Sequence, residues 1–397
     1  MALLPVEEAL QRILAGTRAL GIETIKLEKA LGRVLAVPVI ARRNQPPFPA
    51  SAMDGYALRR QDFGKPFTVV GTSAAGHGFR GTVKQGQAVR ILTGAPLPHG
   101  TDTIVIQENV NRVGDVLQVL EAPATGKNIR RTGLDFSKGD VLLEAGQRLR
   151  PRDLGLAAAG NAALLRVRKK PRVALLATGD ELALPGAKAR ADQIYSSNSH
   201  AIEAMAEGLG AEVINLGIVK DTLAATKAAV RKGFKADILL TTGGASVGDH
   251  DFVQEAFEAC GIKIGFWKIA MRPGKPFMHG RKGRLHVMGL PGNPVSALVT
   301  AHLFVKPLID AMLGLPTVSA PVMAELGADM PGNDSRQDYV RAKLVVAPDG
   351  RRTAAPFEMQ DSSMQRTLRL ANCLIIRPPH APAANKGEMV ELLLLDF

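Results

Sequence analysis

The chain has 397 residues, 46% hydrophobic and 22% charged, a globular composition too long for one compact core, so two to four domains are expected. Fifty Lys and Arg against 37 Asp and Glu leave a formal charge of +13, yet only 4% of residues are aromatic, so stacking platforms are scarce and no nucleic-acid partner is expected. Two cysteines, Cys260 and Cys373, lie in apolar surroundings and support neither a disulfide framework nor a cysteine-built zinc site, and the apolar runs fall short of a membrane span, so no membrane partner is expected.

The opening Met-Ala-Leu-Leu-Pro-Val-Glu-Glu lacks a basic start and an apolar signal core, which leads to the expectation of a cytoplasmic protein. Val6, Leu10, Ile13 and Leu14 share one helical face, with Glu7 and Glu8 in the first turn where the macrodipole favours acids. A second helical piece is expected around residues 27–35. It leads into Gln45-Pro46-Pro47-Phe48-Pro49, a stiff connector that delivers Ser51-Ala52-Met53-Asp54-Gly55-Tyr56-Ala57, where Asp54-Gly55 reads as a turn presenting a carboxylate.

From residue 67 to 120 the period shortens to strands at 67–70, 88–92, 103–107 and 116–120, a small all-β unit. Arg90-Ile91-Leu92-Thr93-Gly94-Ala95 sets a threonine hydroxyl at a strand end, and Gly133-Leu134-Asp135 places another acid in a loop. Helix 151–159 begins on Pro151, and the basic run 166–172 reads as a linker. Residues 172–310 then alternate apolar runs with amphipathic segments, the pattern of a mostly parallel sheet covered by helices. Strands are expected at 173–178, 212–216, 238–242, 264–269 and 285–289, and helices at 197–209, 223–232, 251–260 and 295–312. Strands at 322–326, 339–346, 373–377 and 390–395 mark a further β unit.

Loops after the strands of such a sheet are where ligands bind. Here they carry Asp180 and Glu181, Asp221, and the stretch Thr-Thr-Gly-Gly-Ala-Ser-Val-Gly-Asp ending at Asp249. Gly243, Gly244 and Gly248 let the backbone turn tightly and aim N–H groups at an anion, Ser246 adds a hydroxyl, and acids beside an anion cradle suggest a metal bridging to phosphate oxygens. Later loops bring Arg272 and Lys275, and then Pro291 and Gly292 in a rigid turn opening a helix near Ser296.

Taken together, Ser-Ala-Met-Asp-Gly-Tyr-Ala, Arg-Ile-Leu-Thr-Gly-Ala, Ala-Thr-Gly-Asp-Glu-Leu, Thr-Thr-Gly-Gly-Ala-Ser-Val-Gly-Asp, Arg-Pro-Gly-Lys-Pro and Gly-Leu-Pro-Gly-Asn-Pro resemble the MoeA family of molybdopterin molybdenumtransferases, to which the C-terminal part of gephyrin also belongs. The motifs run in family order from Ser51 to Ser296. The resemblance implies a multidomain α/β plus β fold: a discontinuous helical and mixed domain (1–50 and 136–170), an inserted β domain (51–135), a central, mostly parallel α/β molybdopterin-binding domain (171–315) and a C-terminal β domain (316–397). It also implies a homodimer, with the cleft formed by the α/β domain of one subunit and the β insert of the other. The implied reaction joins molybdate to adenylylated molybdopterin with release of AMP and a divalent cation, Mg²⁺. Contacts with the adenylyltransferase and with molybdenum enzymes would follow.

On that reading Glu181, Asp221 and Asp249 hold Mg²⁺ against phosphate oxygens, since hard oxygen ligands suit that ion. Gly243, Gly244, Ser246 and Gly248 cradle the terminal phosphate of the pterin substrate. Arg272, Lys275, Pro291, Gly292 and Ser296 line the substrate side, with the cations and hydroxyl holding molybdate. Asp54, Thr93 and Asp135 match motif positions associated with activity, without separable roles. Two alternatives stand beside this one: a molybdopterin adenylyltransferase, which shares the α/β domain but needs no flanking domains, and a gephyrin-like scaffold without chemistry, which would need no acids in the cleft.

Overall fold

The computed structural model describes residues 3–243, 252–317 and 321–395. The chain forms two compact units, one of residues 1–23 with 168–397 and the other of residues 24–167. The first contains a six-stranded sheet in the order Glu212–Val219, Arg172–Thr178, Ile238–Thr242, Leu285–Leu290, Met278–Lys282, Lys263–Trp267. The first four strands pair in parallel and the last two pairings are antiparallel, so only Met278–Lys282 runs against the rest and the sheet is mostly parallel as expected.

Val173, Ala174, Leu175 and Leu176 are fully buried, as are Ile238, Leu239 and Leu240. Continuous apolar runs of this kind belong to strands covered on both faces. Helices Asn198–Gly208, Leu223–Lys232 and Phe252–Ala259 supply cover, with Val230, Val253 and Phe257 packed into the same core as Leu239 and Val287. Thr222 caps the second of these helices by accepting the Ala225 N–H.

The last helix of this layer runs Pro294–Leu313, 20 residues of mean hydropathy 1.4, and is 78% buried within the protein. It is long and apolar enough to cross a membrane, which corrects the expectation that no apolar run reaches that length; here it is a core helix. Its middle widens to a π-helical turn, Ala301–Val305, just before Pro307, whose missing N–H interrupts the regular ladder.

Residues 322–395 form a barrel. Strands Gln337–Val346, Arg352–Pro356, Val322–Leu326, Met389–Leu394 and Cys373–Arg377 pair in that order, and the last pairs again with the first. A short strand, Met271–Arg272, leaves the α/β layer to pair in parallel with this barrel, setting Arg272 opposite Asp338. Helix Val6–Leu14 belongs to this unit and not with residues 24–50, because Val6, Ala9 and Ile13 are buried and Arg281 donates to the carbonyls of Ile13 and Ala15.

In the unit 24–167, six strands pair in the order Thr103–Ile106, Gly55–Leu58, Gln87–Ile91, Phe67–Ser73, Val116–Val119, Val110–Val113. The turn expected at Asp54-Gly55 is instead the entry to strand Gly55–Leu58, all four residues of which are buried between two neighbours. The helix expected over 27–35 is reduced to the 3-10 turn Leu27–Lys29, since Val34 and Leu35 bridge to Arg148 and Val167. The basic run 166–172 carries the chain from one unit to the other, as the linker reading expects, but only residues 169–171 are irregular: the run also ends strand Leu164–Arg168, where Leu165 and Val167 alternate inward, and begins strand Arg172–Thr178.

Candidate active site

The carboxyl ends of the parallel strands open on a cavity of about 690 Å³. Eight of the sequence-selected residues line it: Glu181, Asp221, Gly243, Arg272, Lys275, Pro291, Gly292 and Ser296. Gly244, Ser246, Gly248 and Asp249 lie outside the described residues. Asp54, Thr93 and Asp135 belong to the unit 24–167 and are described separately below.

Each wall has a local cause. Gly243 ends its strand at φ +85°, and a Cβ there would stand 2.4 Å from the Thr178 carbonyl oxygen, so only glycine allows the two strand ends to meet. The Glu181 carboxylate fills the space that a side chain at Gly179 would need, 2.5 Å from that Cβ position. The Asp180 N–H donates to Asp221 Oδ2 at 3.2 Å and the Asp221 N–H to Asp180 Oδ1 at 3.3 Å, which fastens the first two strand-end loops together. Pro294 opens the long helix at its first position, and Ser296, 5% exposed, places its hydroxyl in the cavity wall at the electropositive end of that helix.

Arg272 does not present a bare cation. Its Nε donates to Asp338 Oδ1 at 2.8 Å and its Nη2 to Oδ2, a two-armed fork, while Asp334 lies 3.6 Å from Nη1. These partners raise the guanidinium pKa further and hold its plane against the cavity. Hydrogen bonds from Arg336 bring the Asp334 carboxyl down to about 2. The Lys275 ammonium makes no hydrogen bond or ion pair with a described residue, which leaves it an unneutralised cation of this wall among the described residues.

Several lining groups escaped the sequence reading. Gln360, Asp361, Ser362 and Arg336 come from the C-terminal barrel, all beyond the last motif, and no spacing marks them. Ser362 accepts the Val295 N–H at 3.0 Å and its hydroxyl accepts from Asn293 Nδ2 at 2.7 Å, which ties the barrel loop to the helix start. Thr178 lines the cavity with a buried Oγ1 that has no partner among the described residues; its place inside Ala-Thr-Gly-Asp-Glu-Leu was the available signal.

Among the described residues, no three Asp, Glu, His or Cys side chains gather as a metal centre. Glu181 and Asp221 bring two carboxylates to the cavity, the donor type a hard divalent cation takes, and Asp249 is the expected third.

In the other unit, Asp54 Oδ1 accepts both the Thr93 N–H at 2.7 Å and the Thr93 hydroxyl at 2.8 Å. The backbone hydrogen bond first, and then the hydroxyl, lower the Asp54 pKa, so this exposed carboxylate stays charged. Asp135 is held through its backbone, its N–H donating to the Gln45 carbonyl at 2.9 Å.

A mostly parallel α/β layer carrying a glycine turn, acids, a forked arginine and a lysine at its strand ends defines a protein of the doubly wound class, with a charged cavity where such folds bind their ligands. Residues 4–160 match the MoeA N-terminal region (domain I and II), residues 174–311 the probable molybdopterin binding domain, and residues 323–395 the MoeA C-terminal region (domain IV). The chain belongs to the MoeA family, which bears out the resemblance and the fold class read from its motifs. A molybdopterin molybdenumtransferase of Haemophilus influenzae is 37% identical over 93% of both chains, and that of Bacillus subtilis 34% identical over 99% of this chain and 94% of its own. The crystal structure of the molybdopterin biosynthesis MoeA protein from Pyrococcus horikoshii OT3 has a TM-score of 0.81 at 29% identity, covering 99% of this chain and 100% of that one.

Proposed function

We propose that this enzyme is a molybdopterin molybdenumtransferase of molybdenum cofactor biosynthesis, which inserts molybdenum from molybdate into adenylylated molybdopterin and releases AMP. The observation that carries the reading is the gathering of Glu181, Asp221, Gly243, Arg272, Lys275 and Ser296 at one cavity in a chain that matches all three MoeA family regions. The reaction handles two kinds of anion, a phosphate-bearing pterin and a tetrahedral oxyanion, and the wall offers both cationic and carboxylate groups for them.

The turn at Gly243 and the adjoining glycine loop bind the terminal phosphate of the pterin through backbone N–H groups. Lys275, the Arg272 fork and the Ser296 hydroxyl orient molybdate by charge and hydrogen bonding, and the rigid start of the long helix keeps that hydroxyl in place. Glu181, Asp221 and Asp249 would hold Mg²⁺. Bound there, the ion would supply neutralisation of phosphate charge. Asp54, kept charged by Thr93, and Asp135 position nucleotide or metal across a cleft completed by a second copy in a cytoplasmic homodimer. The acids also support chemistry over the scaffold reading, which has no use for them.

The test is AMP release from purified adenylylated molybdopterin with and without molybdate and Mg²⁺, followed by activation of a cofactor-free molybdenum enzyme. Release that needs both ions, together with activation, is expected. Glu181→Ala removes a loop carboxylate and no core volume, so it should abolish release while the protein stays folded. Normal turnover by that variant would refute the metal assignment, and no release by the wild type would return the weight to the adenylyltransferase or the scaffold.

A further inference from the structure

The catalytic cavity leaves the basic run 166–172 and much of the +13 charge without a role. A second cavity, of about 480 Å³, lies at the opposite end of the same parallel strands. Asp237 and Arg284 in its lining immediately precede strands Ile238–Thr242 and Leu285–Leu290, whose far ends open on the catalytic site.

Three arginines line this cavity, Arg18, Arg281 and Arg284, against one acid, Asp237. The acid is already occupied, since Asp237 Oδ2 accepts the Arg172 N–H at 2.8 Å. Arg281 is anchored by one nitrogen only: Nη2 donates to the carbonyls of Ile13 and Ala15, each at 2.8 Å. Its remaining nitrogens, and the side chains of Arg18 and Arg284, make no hydrogen bond or ion pair with a described residue. The rim continues the charge. Exposed Lys169 packs its stem 3.8 Å from the Cβ position of Gly21 in the lining, and exposed Arg172 donates to the carbonyl of exposed Lys235 at 3.0 Å.

Arginine forks match carboxylates in geometry as well as charge. Lys169, Arg172 and Lys235 add three cations beside the lining, with exposed Glu212 next to Arg172 as the acid among them, so the site offers several cations in a row rather than one pocket for a single small anion, and no Phe, Tyr or Trp lines it to stack a nucleobase. We propose that this amino-end cavity and its basic rim are a docking surface for an acidic polypeptide segment of a partner protein, whose carboxylates engage Arg18, Arg281 and Arg284. A partner seated there leaves the catalytic cavity, at the other end of the strands, open to substrates. The inference stands independently of the reaction assigned to that cavity.

The experiment measures anisotropy of a fluorescein-labelled oligoglutamate peptide with the full chain, over a salt series. Saturable, salt-weakened binding is expected. Arg18→Glu/Arg284→Glu should weaken it by about tenfold or more, and Arg18→Gln/Arg284→Gln by a smaller factor, both with an unchanged melting temperature because both residues are exposed. Lys343→Glu/Arg352→Glu, an equal charge change on the barrel, should leave binding intact. Equal loss in that control would reduce the effect to net charge and overturn the proposal. So would complete competition by AMP or inorganic phosphate, which would assign the cavity to a free small anion, or tighter binding of oligothymidylate lost in the same variants. A changed mass in light scattering for the glutamine pair would overturn it as well, assigning the surface to contacts between copies of this chain.

Discussion

Arg272 and Asp338 face each other across a parallel strand pairing, and the guanidinium of one is forked onto the carboxylate of the other. The barrel thereby sets the angle of a cation that lines the candidate active-site cavity. Asp338→Asn removes the charge that holds the fork, and Arg272→Lys keeps a charge but cannot form it. A charge-assisted hydrogen bond is worth about 1.5–3 kcal/mol, so either change should lower kcat/KM for molybdate by roughly ten- to a hundredfold. Steady-state turnover at varied molybdate checks this; an unchanged KM in both variants would leave Arg272 a purely structural link.

Much of the catalytic layer was legible because its segments obey local rules. Ile238–Thr242 is β-branched, apolar and stopped by glycine, and it is a strand over those very residues; Leu223–Lys232 is likewise the helix its period announces. Strand Gly55–Leu58 was hidden because its entry has turn composition and its burial comes entirely from partners distant in sequence. Met278–Lys282 was hidden by His279, Gly280 and Arg281, polar or flexible residues whose partners only the folded chain supplies. The same holds at the site. The acids and glycines at strand ends stood out, whereas Gln360, Asp361 and Ser362 reach the cavity by tertiary packing alone.

Thr93 supplies two hydrogen bonds to Asp54, so Thr93→Val should remove the hydroxyl bond and keep the backbone one. The Asp54 pKa, now lowered, would rise toward its ordinary value. If the charged carboxylate is required for turnover, the acid limb of the pH–rate profile should move to higher pH while the plateau changes little. NMR titration of the Asp54 carboxyl in both proteins gives the direct reading. A variant with an unshifted carboxyl would show that the backbone N–H alone sets its charge.

His279 and His286 form a buried pair, 4% and 2% exposed, with Nε2 of the first 3.3 Å from Nδ1 of the second. Burial, aided by Arg281, lowers His279 to about 4 and His286 to about 3, from an ordinary 6.5. Both are therefore neutral in the folded protein at pH 7. Below pH 6.5 the unfolded chain takes up protons that the folded chain refuses, so stability is full above 6.5 and falls progressively toward pH 4 to 3. At pH 5 the loss is of the order of 2 kcal/mol for each imidazole. Urea midpoints between pH 7.5 and 5 should show this slope, and His286→Gln should flatten it whatever it does to stability at pH 7.5. An identical slope in the variant would shift the cause to other groups.

Arg341 is only 1% exposed, and its guanidinium donates to one loop of the barrel. Its Nε and its own backbone N–H both donate to Gln360 Oε1, at 3.1 and 3.0 Å, and Nη1 donates to the Asp361 carbonyl at 2.8 Å. Gln360 Nε2 returns to the Arg341 carbonyl at 3.0 Å and to that of Phe357 at 2.7 Å. The loop so held carries Gln360, Asp361 and Ser362 into the wall of the candidate active-site cavity, and Ser362 in turn ties down the start of the long helix beside Ser296. Arg341 thus acts as a positioning residue, through a loop and a helix end rather than by touching substrate. Arg341→Met fills the space but leaves buried acceptors unpaired, which should cost about 2–4 kcal/mol in chemical denaturation. Arg341→Lys restores one donor and should fall between. Because the loop shapes a binding wall, KM for the pterin substrate should rise more than kcat falls, in the same order of variants. A stability loss with an unchanged KM would mean that the wall keeps its form without the arginine.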